Sequence, residues 1–181
     1  GSGEMAGSAR LAAGAIAVLL LALSACAGIS TRSPAVDLPR AYAPDEVPAA
    51  LRGDYFRIMA TGIGRTYHIH VRLPEGYDSG GPVRYPVVVI LDGDSLFPLL
   101  APAHLFLTND ESLPEAVLVG ISYGGFDPAI NKRNVDFSAP GPDARPGEAG
   151  APEFLRFLKS QLLPELQLRY RVDPDRRILV G

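Results

Sequence analysis

Tyr85–Phe97 reads YPVVVILDGDSLF. Val87–Leu91 is an unbroken apolar run, which suits a strand buried on both faces. Leu91–Ser95 (LDGDS) is a loop, and Leu96–Leu107 is predicted as a helix interrupted by Pro98 and Pro102. Ala116–Ile121 is a second buried strand, and Arg177–Val180 (RILV) starts a third. Between these two, Asp127–Gly150 is rich in proline and glycine and is expected to be a long surface loop. Ala151-Pro152-Glu153 then opens a helix, with proline placed early, where its missing N–H costs nothing. Phe154, Leu155, Leu158 and Leu162 fall on one side of this helix, and Pro164 is expected to start a fresh turn. Strand, helix, strand, helix, strand is the rhythm of an α/β fold with a parallel sheet.

Upstream, Tyr55–Thr61 (YFRIMAT) and Arg65–Leu73 (RTYHIHVRL) read as an antiparallel pair joined through Gly62-Ile63-Gly64. In the second of them, Tyr67, Ile69, Val71 and Leu73 alternate with His68, His70 and Arg72. A period of two predicts one buried face and one wet face.

The chain has 181 residues, 47% hydrophobic and 20% charged, which bounds it to one globular domain rather than a disordered chain. A net charge of −3 gives no reason to expect a nucleic-acid partner. Three histidines and one cysteine leave little material for a metal site and none for an internal disulfide. The cysteine has a more specific setting. After Met5, with Gly1–Glu4 upstream of it, MAGSAR carries Arg10 and precedes an apolar run of roughly 15 residues, the layout of a secretory signal. Leu23-Ser24-Ala25-Cys26 resembles the lipobox of bacterial lipoproteins. That resemblance implies cleavage before Cys26 and acylation of it, with anchoring at about 0.8 kcal/mol per buried methylene. An uncleaved anchor, or a plain signal with an incidental cysteine, is the alternative. Prolines 34, 39, 44 and 48 mark the residues after Cys26 as an extended tether. The expected organisation is a signal at 1–25, a lipidated tether at 26–53 and the folded portion at 54–181.

Gly120-Ile121-Ser122-Tyr123-Gly124 matches G-x-S-x-G, the nucleophile elbow of serine hydrolases. An elbow needs a strand before its serine and a helix directly after it. The strand is there, but Tyr123-Gly124-Gly125-Phe126-Asp127-Pro128 is poor material for a first helical turn. Ser122 therefore reads as a strand-end serine before a loop.

Five segments together carry a family resemblance: RTYHIHVRLPEGYD, YPVVVILDGDSLF, VLVGISY, Arg133–Ser138 (RNVDFS) and YRVDPDRRILVG. They resemble the putative-esterase branch of the α/β-hydrolase superfamily, which includes esterase D, mycolyltransferases and siderophore esterases. The resemblance covers Tyr55–Gly181 and implies the N-terminal portion of an α/β-hydrolase fold. It implies that the chain ends on the strand before the nucleophile elbow, with Gly181 as the elbow's first glycine and the serine two residues beyond. The acid and histidine of the triad follow the serine in that order. None of the triad would then lie in this chain, which alone is expected to be inactive. His68 and His70, on an early strand, and His104, in the first helical region, read as structural histidines.

The resemblance also implies one oxyanion-hole donor here, the N–H of Asp94, with Gly93 permitting the tight backbone path; losing such a donor costs about 3 kcal/mol. It assigns Arg133 to the anionic part of a substrate, as in siderophore esterases, work that suits a guanidinium. It implies no metal and no organic cofactor. The substrate is expected to be a small carboxylic ester, a siderophore lactone or a short acyl ester, with acyl transfer to another acceptor also open.

Two rival readings remain at this level. VVVILDGDSLF resembles the first motif of haloacid-dehalogenase-like phosphatases, which would make Asp92 the nucleophile and set Asp92 and Asp94 near magnesium. Ser95 stands where that motif has threonine or valine, and two strands precede a motif that normally opens its domain. The other rival is a non-catalytic surface binding lipoprotein.

Overall fold

The computed structural model describes residues 51–181 except 111, 143, 144, 146 and 148, together with residues 43, 45, 47 and 48. The signal, Cys26 and most of the tether lie outside the described residues. Strands β1 (Asp54–Ala60), β2 (Arg65–Arg72), β3 (Tyr85–Ile90), β4 (Val117–Ser122) and β5 (Val172–Val180) form one sheet in the order β1-β2-β4-β3-β5. β2 runs antiparallel to both β1 and β4, whereas β3 runs parallel to β4 and β5. Helix α1 (Gly93–Asn109) connects β3 to β4. A four-residue helix α2 (Arg133–Asp136) and a long helical segment lead from β4 to β5. The long segment comprises α3 (Ala151–Phe157), a π-helical turn (Leu158–Leu162) and α4 (Leu163–Arg169). Among the described residues no helix is long and apolar enough to cross a membrane.

The sheet is covered on both sides. Tyr67, Ile69, Val71, Val87, Val89, Val117, Val119 and Ile121 point to the face packed by Phe154, Phe157, Leu158, Leu162 and Leu166. Ile90, Ala116 and Leu118 pack on the opposite face with Ala101, Leu96, Phe97 and Leu100 of α1. Tyr67 is the centre of the larger core: its ring stacks on Phe157 at 4.7 Å between centroids and meets Tyr123 and Phe154 edge-on at 5.6 Å. Such pairs add about 0.5–1.5 kcal/mol each beyond the area they bury.

Several expectations are corrected. α1 begins at Gly93 and runs unbroken through Pro98 and Pro102. Each proline removes one i→i−4 hydrogen bond, and the packing of Ala101 and its neighbours on β4 holds the helix through both gaps. Leu155 is exposed, and Phe157 takes the core position instead. Pro164 does stand in the first turn of α4, as expected, but the π-helical turn joins that segment to α3 without a gap. The stretch after Asp127 is not all surface loop, since Asp136 in α2 is buried. β5 starts at Val172, with an irregularity that sets Tyr85 opposite Val172 and Val87 opposite Arg177. Pro174 sits in that irregularity, as proline in an edge strand should. β5 is not buried on both faces, because Ile178 and Leu179 are 55% and 57% exposed at the sheet edge.

The second face of β2 is not wet either. α1 covers it: His70 stacks against Phe97 at 5.6 Å, and Arg72, 5% exposed, donates to His104 Nδ1 at 2.7 Å. Because a guanidinium only donates, His104 Nδ1 must be the lone-pair nitrogen, and Nε2–H donates to the Pro114 carbonyl at 3.1 Å. Burial, and then the adjacent Arg72 charge, hold His104 below the ordinary histidine range. Burial lowers His70 as well, against partial opposition from Asp94. In the unfolded chain both rings take up protons near pH 6.5, while the folded protein resists until lower pH. Stability present above about pH 6.5 is therefore lost as pH falls toward the depressed folded values, because the unfolded state binds more protons. Thermal unfolding scans from pH 7.5 to 5.5 should show a falling Tm, and His104→Gln, which retains an acceptor for Arg72 but does not titrate, should flatten the decline.

Candidate active site

The C-terminal ends of β3, β4 and β5 meet at one edge of the sheet. Asp92 caps α1 in the left-handed region, φ 50° and ψ 42°, and among the described residues it alone has positive φ without being glycine. Aspartate tolerates this conformation better than most residues. The turn it makes brings Gly93 flush against β4: a Cβ at Gly93 would lie 2.6 Å from Ser122 Oγ and 2.8 Å from the Ile121 backbone. Only glycine fits that approach. The first amides to turn back are those of Ser95 and Leu96, both onto the Asp92 carbonyl at 2.9 Å. The Gly93 and Asp94 amides precede that ladder, where helices leave donors unsatisfied.

The Asp94 side chain has a second use that sequence reasoning missed. Its carboxylate accepts from the Tyr123 N–H at 2.7 Å and the Gly124 N–H at 3.0 Å, tying the start of α1 to the loop after β4. Arg133 meets the same turn from α2. Its Nε and one terminal nitrogen donate to the two Asp92 oxygens at 2.8 and 3.0 Å, and its guanidinium lies 5.6 Å from the Phe137 ring centroid. Arg133 remains half exposed, so its outer face is open to solvent. Asp92, Gly93, Asp94 and Arg133 thus form one cluster. Both carboxylates are committed to donors of the chain itself, which is not the open pair that the phosphatase reading requires.

Ser122 adjoins this cluster but is sealed from it. It is 0% exposed, and its hydroxyl has no hydrogen-bond partner. No helix follows it directly; the chain bends through Gly124 (φ 92°) and Gly125 (φ 153°) and reaches α2 only at Arg133. The other members of the motif are occupied by packing. A Cβ on Gly120 would strike the Phe97 ring at 2.7 Å, and one on Gly124 would lie 2.9 Å from His68 Nε2. The histidines are engaged elsewhere: His68 Nδ1 with the Tyr55 hydroxyl at 2.6 Å, His70 between the Tyr55 and Phe97 rings, and His104 with Arg72.

Beneath the cluster lies a buried carboxylate that the sequence did not announce. Asp136 accepts hydrogen bonds from the Tyr67 hydroxyl at 2.6 Å and the Tyr123 hydroxyl at 2.9 Å, and it is ion-paired with Arg65. Burial, followed by hydrogen bonding and charge from Asp136, holds both phenols well above the ordinary tyrosine range, so both remain donors. The only sequence signal was Arg65 and Tyr67 standing two apart on one strand, which shares their face but does not reveal the acceptor. Removing one partner of a buried pair costs about 3–5 kcal/mol. Asp136→Ala should lose stability on that scale in urea unfolding, and more than Arg133→Ala, whose ion pair is partly exposed.

The family model described as "Esterase: Putative esterase" matches residues 60–181. Ferri-bacillibactin esterase BesA of Bacillus subtilis (strain 168) is 33% identical over 143 residues, covering 71% of this chain and 49% of that protein. The chain thus spans about half the length of the curated relative it matches. Among solved structures, the BES protein from Bacillus cereus is similar with a TM-score of 0.62 and 21% identity, over 82% of this chain and 55% of that one. Siderophore hydrolase EstA from Aspergillus nidulans is similar with a TM-score of 0.59 and 28% identity, over 80% and 52%. The strand order with its antiparallel β2, the helices on both faces and the match over residues 60–181 agree: this chain belongs to the putative-esterase family and carries its α/β-hydrolase type of fold.

Proposed function

We propose that this chain is the N-terminal portion of a serine carboxylic-ester hydrolase whose substrates include siderophore-type lactones. One observation carries the reading: the ends of β3 and β5 lie side by side at the Asp92–Asp94 turn. The Leu91 N–H donates to the Val180 carbonyl at 2.7 Å, and a Cβ on Gly181 would lie 2.9 Å from the Leu91 Cβ. A serine two residues beyond Gly181 would enter beside the Asp94 amide. Its hydroxyl, deprotonated by the triad histidine, attacks the ester carbonyl. The Asp94 N–H and the amide following the serine bind the oxyanion, and the alcohol leaves with the proton. Water then releases the acid and restores the serine. Arg133, held by Asp92 at the rim of this turn, meets an anionic part of the substrate. The siderophore-type ester is supported by a relative that is a ferri-bacillibactin esterase and a similar structure that is a siderophore hydrolase.

On this reading Ser122 is structural and the 181-residue chain alone is inactive. The test extends the coding sequence past the Gly181 codon and assays the full product with p-nitrophenyl butyrate and a siderophore lactone. A fluorophosphonate should label a serine beyond residue 181, and Ser122→Ala should retain the parent kcat. Label on Ser122, or turnover by the 181-residue chain that Ser122→Ala abolishes, would overturn the proposal. A folded full product with no turnover on any ester would favour the binding lipoprotein.

The same proposal includes export and lipid anchoring through Cys26, supported by the Leu23–Cys26 lipobox after an apolar run. Cells given labelled palmitate should yield a labelled membrane-bound protein, and Cys26→Ser should lose both label and membrane fraction. Unchanged labelling in that variant would refute lipidation at Cys26.

A further inference from the structure

Arg72 is a buried cation that the ester site does not use. A guanidinium carries five N–H donors, yet the acceptor recorded for Arg72 is one neutral imidazole, His104, and its Nε is buried with no partner. No ion pair among the described residues includes Arg72. Buried charges are ordinarily paired, because desolvation is costly. Desolvation accordingly holds Arg72 below the usual arginine range.

Arg72 lines a groove of about 350 Å³ between β1, β2 and α1, toward the small end of the roughly 300–1,000 Å³ typical of small-ligand sites. One wall is aromatic: Tyr55 and His70 lie 5.4 Å apart, and His70 and Phe97 5.6 Å. The other charged residues of the groove are already engaged. Arg52 donates to the Val47 and Asp45 carbonyls, and the Asp54 carboxylate accepts from the Tyr170 hydroxyl at 2.9 Å. Asp94, on α1 outside the groove, is spent on the Tyr123 and Gly124 amides.

We propose that this groove is a binding site for a small aromatic monocarboxylate, its carboxylate taken by the unused donors of Arg72 and its ring set against His70 and Phe97. Guanidinium suits planar carboxylates, and a flat ring suits the tilted aromatic wall. The site is separate from the Asp92–Arg133 cluster and does not depend on ester hydrolysis.

Sodium benzoate titrated into the full chain, followed by NMR of arginine Nε–H and histidine ring signals, tests this directly. Saturable shifts at Arg72 and His104 are expected, with affinity lowered about tenfold or more by Arg72→Met, the scale of a lost charged hydrogen bond. Tyr55→Ala, which alters an exposed wall residue, should also weaken binding and serves if the arginine variant does not fold. Arg133→Met should leave benzoate affinity unchanged. Absence of a saturable shift at Arg72, or equal affinity in Arg72→Met or Tyr55→Ala, would overturn the site. Acetate binding as tightly as benzoate would remove the aromatic wall from the proposal, and benzyl alcohol doing so would remove the charge.

Discussion

The Asp136 carboxylate is the interaction on which the functional end of the sheet depends. It is buried and shared by Arg65 and Tyr67 of β2 and by Tyr123 just after β4, and it stands on the same short helix as Arg133. A buried carboxylate is tolerable only when its lone pairs are filled, so every donor is held to one position. That requirement orients the Tyr67 ring, around which Phe154, Phe157 and Tyr123 pack. It also fixes where the chain turns into α2, hence where Arg133 can reach Asp92.

A second constraint is the close approach of α1 to β4. Gly93 packs its bare backbone on Ser122 and Ile121, and Gly120 leaves room for the Phe97 ring, so the helix lies close to the strand. Asp94 then ties the helix start to the Tyr123 and Gly124 amides. Of the G-x-S-x-G residues, Gly120 stands against the Phe97 ring, Gly124 against His68 Nε2, and Ser122 is buried, so packing alone asks for small residues at 120 and 124.

At the far edge, β5 exposes Ile178 and Leu179 beside apolar residues of both helical layers. Unpaired strand edges with apolar flanks invite further pairing, and Pro174 and the irregular pairing near it limit this to the C-terminal half of the strand. That same half adjoins the Asp92–Asp94 turn, so the exposed edge and the candidate active site are neighbours.

The apolar runs at Val87–Leu91 and Ala116–Ile121, and the alternation of Tyr67, Ile69 and Val71, were legible in the sequence by itself, because burial imposes a pattern that local composition records. The segments shared with the esterase family pointed to Gly93, Asp94 and Arg133, which the fold brings to one turn, and the two glycines after Ser122 already argued against a helix there. Arg72 on a covered face, the unbroken helix through Pro98 and Pro102, and the half-exposed β5 were decided only by tertiary structure. Each depends on what lies across the sheet, which no local period reports. Asp136 is the clearest case: Tyr67, one of its donors, lies 69 residues away, and a single carboxylate in a polar stretch carries no signal until the fold brings its donors to it.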